Sequence, residues 1–433
     1  MSTPPNPFLS AADALGAQLA RDAIWHGPRC NWTGDSMELL NGRWQVAHKS
    51  MGAELYSGLA GIALFLGRLH CATHERVYAK LARSALEQAH SQTQAQAFPA
   101  NAQCGLYFGT LGVAWALVRV AQLIDAPELA AKGWALLQDL PAQDFAQHGV
   151  DITSGSAGAI IGLLDLERLA PIDGADAAML LGLARRHGER LAAKAIRSER
   201  GWHWPQDPSQ GHQFGLCGLS HGAAGIGWAL LGLHKATGEQ GYLTAAFEAL
   251  RYERSWFNAD EQNWPDLRSL YDPTLGGDGR RLTYMSAWCH GAPGIGMARL
   301  ASHALNQDPA CLTEARAALR CTSVGLELSL QMPPGQANFS LCHGLFGNAE
   351  LLIEAAQRLG EPEHLNLAAR IGHMGLAQHA HPGTPWACGV LGGGETPSLL
   401  LGLAGIGYFY LRLHDPSTPS VLLLGDEGSR VEA

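Results

Sequence analysis

Charge is scarce in this chain. Of 433 residues only 16% are Asp, Glu, Lys or Arg, and 30 basic residues face 39 acidic ones for a net charge of -9. No block of Lys and Arg occurs, which argues against nucleic acid and anionic membranes as partners, because both are recognised through clustered positive charge. Long apolar runs are missing too. The longest, LLLGLAGIGYFYL from Leu399, falls short of the roughly 20 residues a spanning helix needs, so no membrane span is expected. The start, MSTPPNPFLS, has no basic stretch followed by an apolar one, so no secretory signal is read and the protein is expected to be cytoplasmic. Neither GxxxxGK[ST] nor a kinase signature is present, so nothing here would activate a hydroxyl with a nucleotide. The nine cysteines are an odd number at irregular spacing, which suits reduced thiols or metal ligands better than a disulfide framework.

Glycine, by contrast, is plentiful, with 52 residues, and it is patterned. Gly-x-x-Gly followed by an apolar run begins at Gly58, Gly109, Gly155, Gly222, Gly291, Gly344 and Gly402. The seven copies lie about 57 residues apart on average, room for two helices and their loops. Each apolar run is hydrophobic on nearly all sides, which marks a helix buried all round. Paired glycines one turn apart remove side chains at the helix start and let backbones approach there. Between the runs lie amphipathic segments such as HERVYAKLARSALEQAHSQ from His74 and YLTAAFEALRYERSW from Tyr242, each with one wet face.

Buried helices alternating with half-exposed ones predict an all-α fold, an α/α toroid of about seven hairpins with an inner ring inside an outer ring. An open solenoid is the alternative, but it needs polar capping repeats and would not make every inner helix equally apolar. A single domain is expected over residues 12–424, flanked by a disordered N-terminal tail at 1–11 and a C-terminal tail at 425–433. In a toroid the seven helix starts gather at one end. The longest irregular stretches, 198–218, 258–287, 331–341 and 381–398, precede those starts, and long loops of this kind are usually functional.

The residue before each first glycine is Ser57, Phe108, Ser154, His221, His290, His343 or Leu401. One position earlier stand Tyr56, Tyr107, Thr153, Ser220, Cys289, Cys342 and Leu400. Two cysteines and three histidines therefore fall at equivalent places on consecutive repeats, and the toroid would bring them together. Thiolate and imidazole converging among reduced thiols favour zinc. Cys289, Cys342 and His343 would make an open, catalytic site; with His290 the site would close as Cys2His2. The plainer alternative is core cysteines with hydrogen-bonded histidines, and the shared register weighs against it. His221 has Ser220 in place of a cysteine, so it is expected to face the metal without binding it and to move protons. Asp151, at the mouth of the neighbouring repeat, would orient that histidine or handle a proton. Cys30, Cys71, Cys104, Cys311 and Cys321 are read as structural, while the roles of Cys217 and Cys388 stay open.

At these residues the chain resembles the lanthionine synthetase C-like family, the cyclases of lanthipeptide biosynthesis. The resemblance rests on WCHGAPG (Trp288 to Gly294) and CHGLFGN (Cys342 to Asn348), with support from SHGAAG and DITSGSAG. It implies an α/α barrel, one Zn2+ on Cys289, Cys342 and His343, and acid/base work by His221 and Asp151 with His290 near the active centre. The implied reaction is Michael addition of peptide cysteines to dehydroalanine or dehydrobutyrine, on a precursor peptide dehydrated by a separate dehydratase. One departure stands out: some members carry arginine four residues before the first zinc cysteine, where this chain has Met285, leaving Arg280 or Arg281 as substitutes. Rival readings are a glycosidase using Asp151 and Glu54, a prenyltransferase-like zinc enzyme, and a non-catalytic or glutathione-binding zinc protein of the same fold.

Overall fold

Helices form where the glycine-led runs predict them. The computed structural model describes residues 6–40, 43–140, 147–170, 175–205, 213–270, 281–381 and 383–426. The inner ring consists of α2 (Leu59–Thr73), α4 (Thr110–Ile124), α6 (Ser156–Glu167), α8 (Ala223–Thr237), α10 (Ala292–Asn306), α12 (Leu345–Leu359) and α14 (Leu403–His414). The outer ring consists of α1 (Pro7–Asp22), α3 (Arg76–Ala95), α5 (Pro127–Gln138), α7 (Ala175–Lys194), α9 (Gln240–Arg254), α11 (Pro309–Ser329) and α13 (His364–His379). In α2 every residue from Leu59 to Gly67 is buried. The outer α3 buries Tyr78, Leu81, Ala82, Ala85, Leu86 and Ala89 and leaves its opposite face wet.

Each inner helix packs on the next, and α14 packs back on α2, so the ring is closed and the open solenoid is excluded. Six hairpins are contiguous in the chain. The seventh is not: the outer partner of α14 is α1, from the other end of the sequence. This corrects the expectation of a disordered tail over 1–11. Asn6 caps α1 by accepting from the Phe8 amide at 2.9 Å, Pro7 occupies the first turn, and Phe8 and Ala11 are buried. Residues 1–5 and 427–433 lie outside the described residues, and ordered chain continues past 424 to Asp426.

The all-α expectation also passed over three small antiparallel ribbons. They are β1 (Ile24–His26) with β2 (Arg29–Asn31), β3 (Thr33–Leu40) with β4 (Arg43–Ser50), and β5 (Ile196–Ser198) with β6 (Gly201–His203). In the longest, Thr33 lies opposite Ser50 and Leu40 opposite Arg43.

The second glycine of each pair has a common structural reason. A Cβ on Gly61, Gly112, Gly158, Gly225, Gly294, Gly347 or Gly405 would collide with the carbonyl oxygen of the residue six positions earlier. The loop entering each inner helix is therefore pressed against the first turn of that helix, which fixes where its last residues point. Charged side chains inside the wall are paired: Arg412 on α14 is fully buried and bonds Glu350 and Glu354 on α12. After α14 the chain turns inward. The Tyr408 hydroxyl donates to the Pro419 carbonyl (2.8 Å), the Tyr107 hydroxyl to Val421 (2.7 Å) and the Trp288 indole N–H to Leu422 (3.1 Å). Tyr107 and Trp288 belong to the second and fifth repeats, so this buried segment, Val421 to Leu424, crosses the inside of the ring. No described helix is long and apolar enough to cross a membrane.

Candidate functional site

A chain of backbone hydrogen bonds joins the equivalent positions of adjacent repeats. The Tyr56 amide donates to the Tyr107 carbonyl (3.1 Å), Tyr107 to Thr153 (2.9 Å) and Ile152 to Ser220 (3.0 Å). On the other side Cys289 donates to Cys342 (3.4 Å), Cys342 to Leu400 (2.9 Å) and Leu400 to Tyr56 (2.9 Å). Cys289 and Cys342, far apart in sequence, are neighbours because their two loops are hydrogen-bonded in register. The Asn348 side chain reinforces the join by donating to the Ser286 carbonyl at 2.9 Å. A tight turn, closed by the Ala287 amide on the His290 carbonyl (3.0 Å) and continued by Gly291 at a φ of 93°, presents Cys289.

The two thiols hydrogen-bond each other and share their protons unequally. The bond from Cys342 holds the Cys289 thiol below its ordinary value against the effect of burial, and the charges of His221 and Arg268 add to it. Cys342 is pushed well above the ordinary value by that same bond, by burial and by the Cys289 charge. The Tyr56 hydroxyl also bonds Cys342, and the Tyr56 ring stacks on Phe108 with centroids 4.6 Å apart. Tyr56 occupies the cysteine register of the first repeat, and that shared register was its signal in the sequence.

His343 follows directly, and its Nε2 lies 2.8 Å from the Gly389 carbonyl oxygen. A carbonyl only accepts, so Nε2 carries the proton and Nδ1 keeps the lone pair. Burial lowers the His343 pKa and keeps the ring neutral near pH 7. Two adjacent thiols and a neutral imidazole fixed by a backbone carbonyl are the donor chemistry that suits zinc. As the side chains stand, no three His, Cys, Asp or Glu residues among those described are drawn into a metal-holding cluster.

Across the mouth, Asp151 is buried and accepts from the Ser154 amide (2.9 Å) and the Thr153 hydroxyl (3.1 Å). Its Oδ2 lies 2.7 Å from His221 Nδ1. Burial opposes charge on both partners, but their mutual attraction prevails. Asp151 is held below its ordinary pKa and His221 above its own. His221 stacks on His290, with ring centroids 5.5 Å apart. His290 is 1% exposed, and burial, aided by the Arg268 charge, pushes its pKa down to about 3.

The loop carrying His221 is held from below by Glu253 of α9. This buried carboxylate accepts from the Gly218 (2.7 Å) and Ala224 (3.2 Å) amides and pairs with Arg299 of α10 at 2.9 Å. Nothing in the sequence singled out Glu253, which reads as one of the wet charges of an amphipathic helix. Arg268 was also missed. It lies outside the repeat register, and its guanidinium reaches Met285 Sδ at 3.3 Å. Of the two arginines proposed to compensate for Met285, Arg280 lies outside the described residues and Arg281 is exposed.

The remaining candidates are accounted for locally. Glu54 accepts from the Ser57 hydroxyl at 2.7 Å. All nine cysteines are free thiols. Burial pushes Cys30, Cys104 and Cys388 up to about 12 and Cys311 to about 11, and Cys217 is raised well above its usual value. Such thiols are poor nucleophiles. Cys71 lies on inner helix α2 rather than near an outer segment, and it is exposed.

The fold has a known counterpart. The chain superposes on nisin cyclase with a TM-score of 0.60 and 16% identity, covering 87% of this chain and 93% of that one. It is 25% identical over 201 residues to the lacticin 481/lactococcin biosynthesis protein LcnDR2 of Lactococcus lactis subsp. lactis. That match takes in 46% of this chain and only 20% of the relative, so the matched part spans about a fifth of that protein's length. The family model for lanthionine synthetase C-like proteins matches residues 49–423, which include every inner helix start and all six candidate site residues. The chain therefore belongs to the lanthionine synthetase C-like family.

Proposed function

We propose that the protein is a zinc-dependent lanthipeptide cyclase. It adds cysteine thiols of a precursor peptide, dehydrated beforehand by a separate dehydratase, to dehydroalanine or dehydrobutyrine in the same peptide, forming lanthionine or methyllanthionine rings. The observation that carries this reading is the pairing of a proton donor with a thiolate-favouring cluster. Asp151 bonds His221 and favours its protonated form, and the His221 charge in turn favours thiolate at Cys289.

Cys289, Cys342 and His343 would hold the zinc, which when bound lowers the pKa of a thiol and keeps it as thiolate near neutral pH. The rest of the chemistry is proton handling by the chain. Attack on the β-carbon leaves an enolate whose α-carbon needs a proton. His221 can deliver one from Nε2, because Nδ1 is committed to Asp151. Asp151 keeps that imidazole oriented and stabilises its charged form. His290, neutral and buried, backs the His221 ring without competing for the proton.

The test is incubation with a dehydrated, cysteine-containing peptide and no other protein. Cyclisation leaves the mass unchanged, so the readout is loss of alkylatable thiol. Thiols that stay fully alkylatable with the zinc-loaded protein would sink the proposal. The unmodified peptide should keep both its mass and its thiols, and a loss of water from it would equally contradict the assignment.

A further inference from the structure

One charged group at the mouth has no part in the chemistry above. Arg268 sits in the short 3-10 turn Leu267–Leu270. Asp266 fixes it twice over: the Arg268 amide donates to Oδ1 at 3.1 Å, and the guanidinium donates through Nε at 3.0 Å and Nη2 at 2.7 Å. Asp266 is 2% exposed, and its own amide donates to the Thr283 carbonyl at 2.8 Å. The turn is thereby fastened to the segment that runs on to Met285 and Cys289. The Arg268 side chain remains 39% exposed, and its guanidinium reaches Met285 Sδ at 3.3 Å, four residues before Cys289.

Stability alone does not account for this placement. An ion pair between residues two apart, with one partner this exposed, adds little to the fold. What it does achieve is a cation fixed in orientation by Asp266 and set against Met285, on the segment that leads to Cys289. A guanidinium so fixed is suited to an oxygen on which negative charge develops.

We propose that Arg268 is a catalytic residue whose guanidinium binds the carbonyl oxygen of the dehydrated residue as that oxygen becomes an enolate. The assignment rests on the cyclase reading. In the step, the thiolate sulfur bonds to the β-carbon, and the electron pair of the carbon–carbon double bond moves toward the α-carbon and its carbonyl oxygen. His221 then places a proton on the α-carbon. The proton lost by the substrate thiol on ionisation restores His221, so nothing is consumed. Arg268 supplies the charge that faces the oxygen, in a chain that has Met285 four residues before Cys289 and whose Arg281 is exposed.

The experiment compares wild type, Arg268→Gln, Arg268→Lys and Arg268→Ala as zinc-loaded full chains in single-turnover cyclisation of a dehydrated peptide. Peptide affinity and thermal unfolding are measured alongside. Arg268→Gln should cyclise roughly 10²–10³-fold more slowly, as for loss of one oxyanion donor, with affinity within a few-fold of wild type. Arg268→Lys should fall between. Millimolar guanidinium should partly restore Arg268→Ala, whereas sodium at equal ionic strength should not. A wild-type rate in folded Arg268→Gln would overturn the proposal. So would a rate loss in Arg268→Ala that tracks unfolding and is not rescued, with Arg268→Lys unaffected. A wild-type protein that fails to cyclise any peptide refutes the cyclase reading instead, which separates the two failures.

Discussion

His221 lies almost flat against His290, with planes 29° apart, yet the two imidazoles hold protons very differently. Asp151 raises the pKa of the first and favours its charged form, while burial keeps the second neutral. Replacement of His221 by Asn should therefore slow cyclisation by roughly 10²–10⁴-fold, the usual loss for a general acid or base. Zinc content and thermal stability should stay near wild type. A mutant that lost its zinc would make His221 a ligand; one with full rate would pass the proton donor's role to another group.

The same pair sets a pH dependence. His221 donates only while protonated, so the rate should fall as pH rises through its folded pKa, which Asp151 holds above the ordinary value of about 6.5. Asp151→Asn removes that support and should move the alkaline limb of the rate profile to lower pH. Linkage gives the matching sign for stability. The His221 contribution is complete below about pH 6.5 and fades as pH passes the raised value, whereas that of Asp151, held below its ordinary value, is present above about pH 3.9 and is lost as pH falls through the lowered value. A limb that stays in place in Asp151→Asn would exclude His221 as the group it reports.

Zinc should bind at about one ion per chain, and Cys342→Ala or His343→Ala should each abolish tight binding by removing one of three protein ligands. Metal analysis after dialysis checks this. Full retention by both single variants would place the metal elsewhere.

The inner-helix glycines offer a test of the wall itself. Gly158→Ala drives a methyl group into the Ile152 carbonyl and should cost about 1–3 kcal/mol of stability. Gly182→Ala, on outer helix α7 with nothing within 4 Å of the new methyl, should be neutral or stabilise by about 0.5–1 kcal/mol. Denaturant midpoints of the two variants should shift in opposite senses or differ by at least the larger cost.

What could be read from the sequence was what repeats. Seven glycine pairs placed seven inner helices, and their shared register put Cys289, Cys342, His343, His221 and His290 at one end of the ring, because adjacent loops hydrogen-bond position to position. What occurs once was harder to see. Arg268 and Asp266 lie in the stretch 258–287, whose length marks it as functional, but they fall outside the repeat register, so nothing in their spacing singles them out. Glu253 looks like any charge on a half-exposed helix until the amides of Gly218 and Ala224 are seen to converge on it. At the start of α1 the signal was present, since Asn6 before Pro7 is a cap before a first turn.

The ring is also a folding problem. In an open array each repeat can settle on its predecessor as it emerges, and stability grows step by step. Here α1 waits for α14, and the Tyr107 hydroxyl waits for the Val421 carbonyl 314 residues downstream. Contacts of such sequence separation slow folding and make it all-or-none. Until the last inner helix and the segment behind it are made, each partial ring exposes the apolar edge of an inner helix that has no neighbour. Nascent chains stalled before Leu403 should therefore be the most aggregation-prone species this sequence produces.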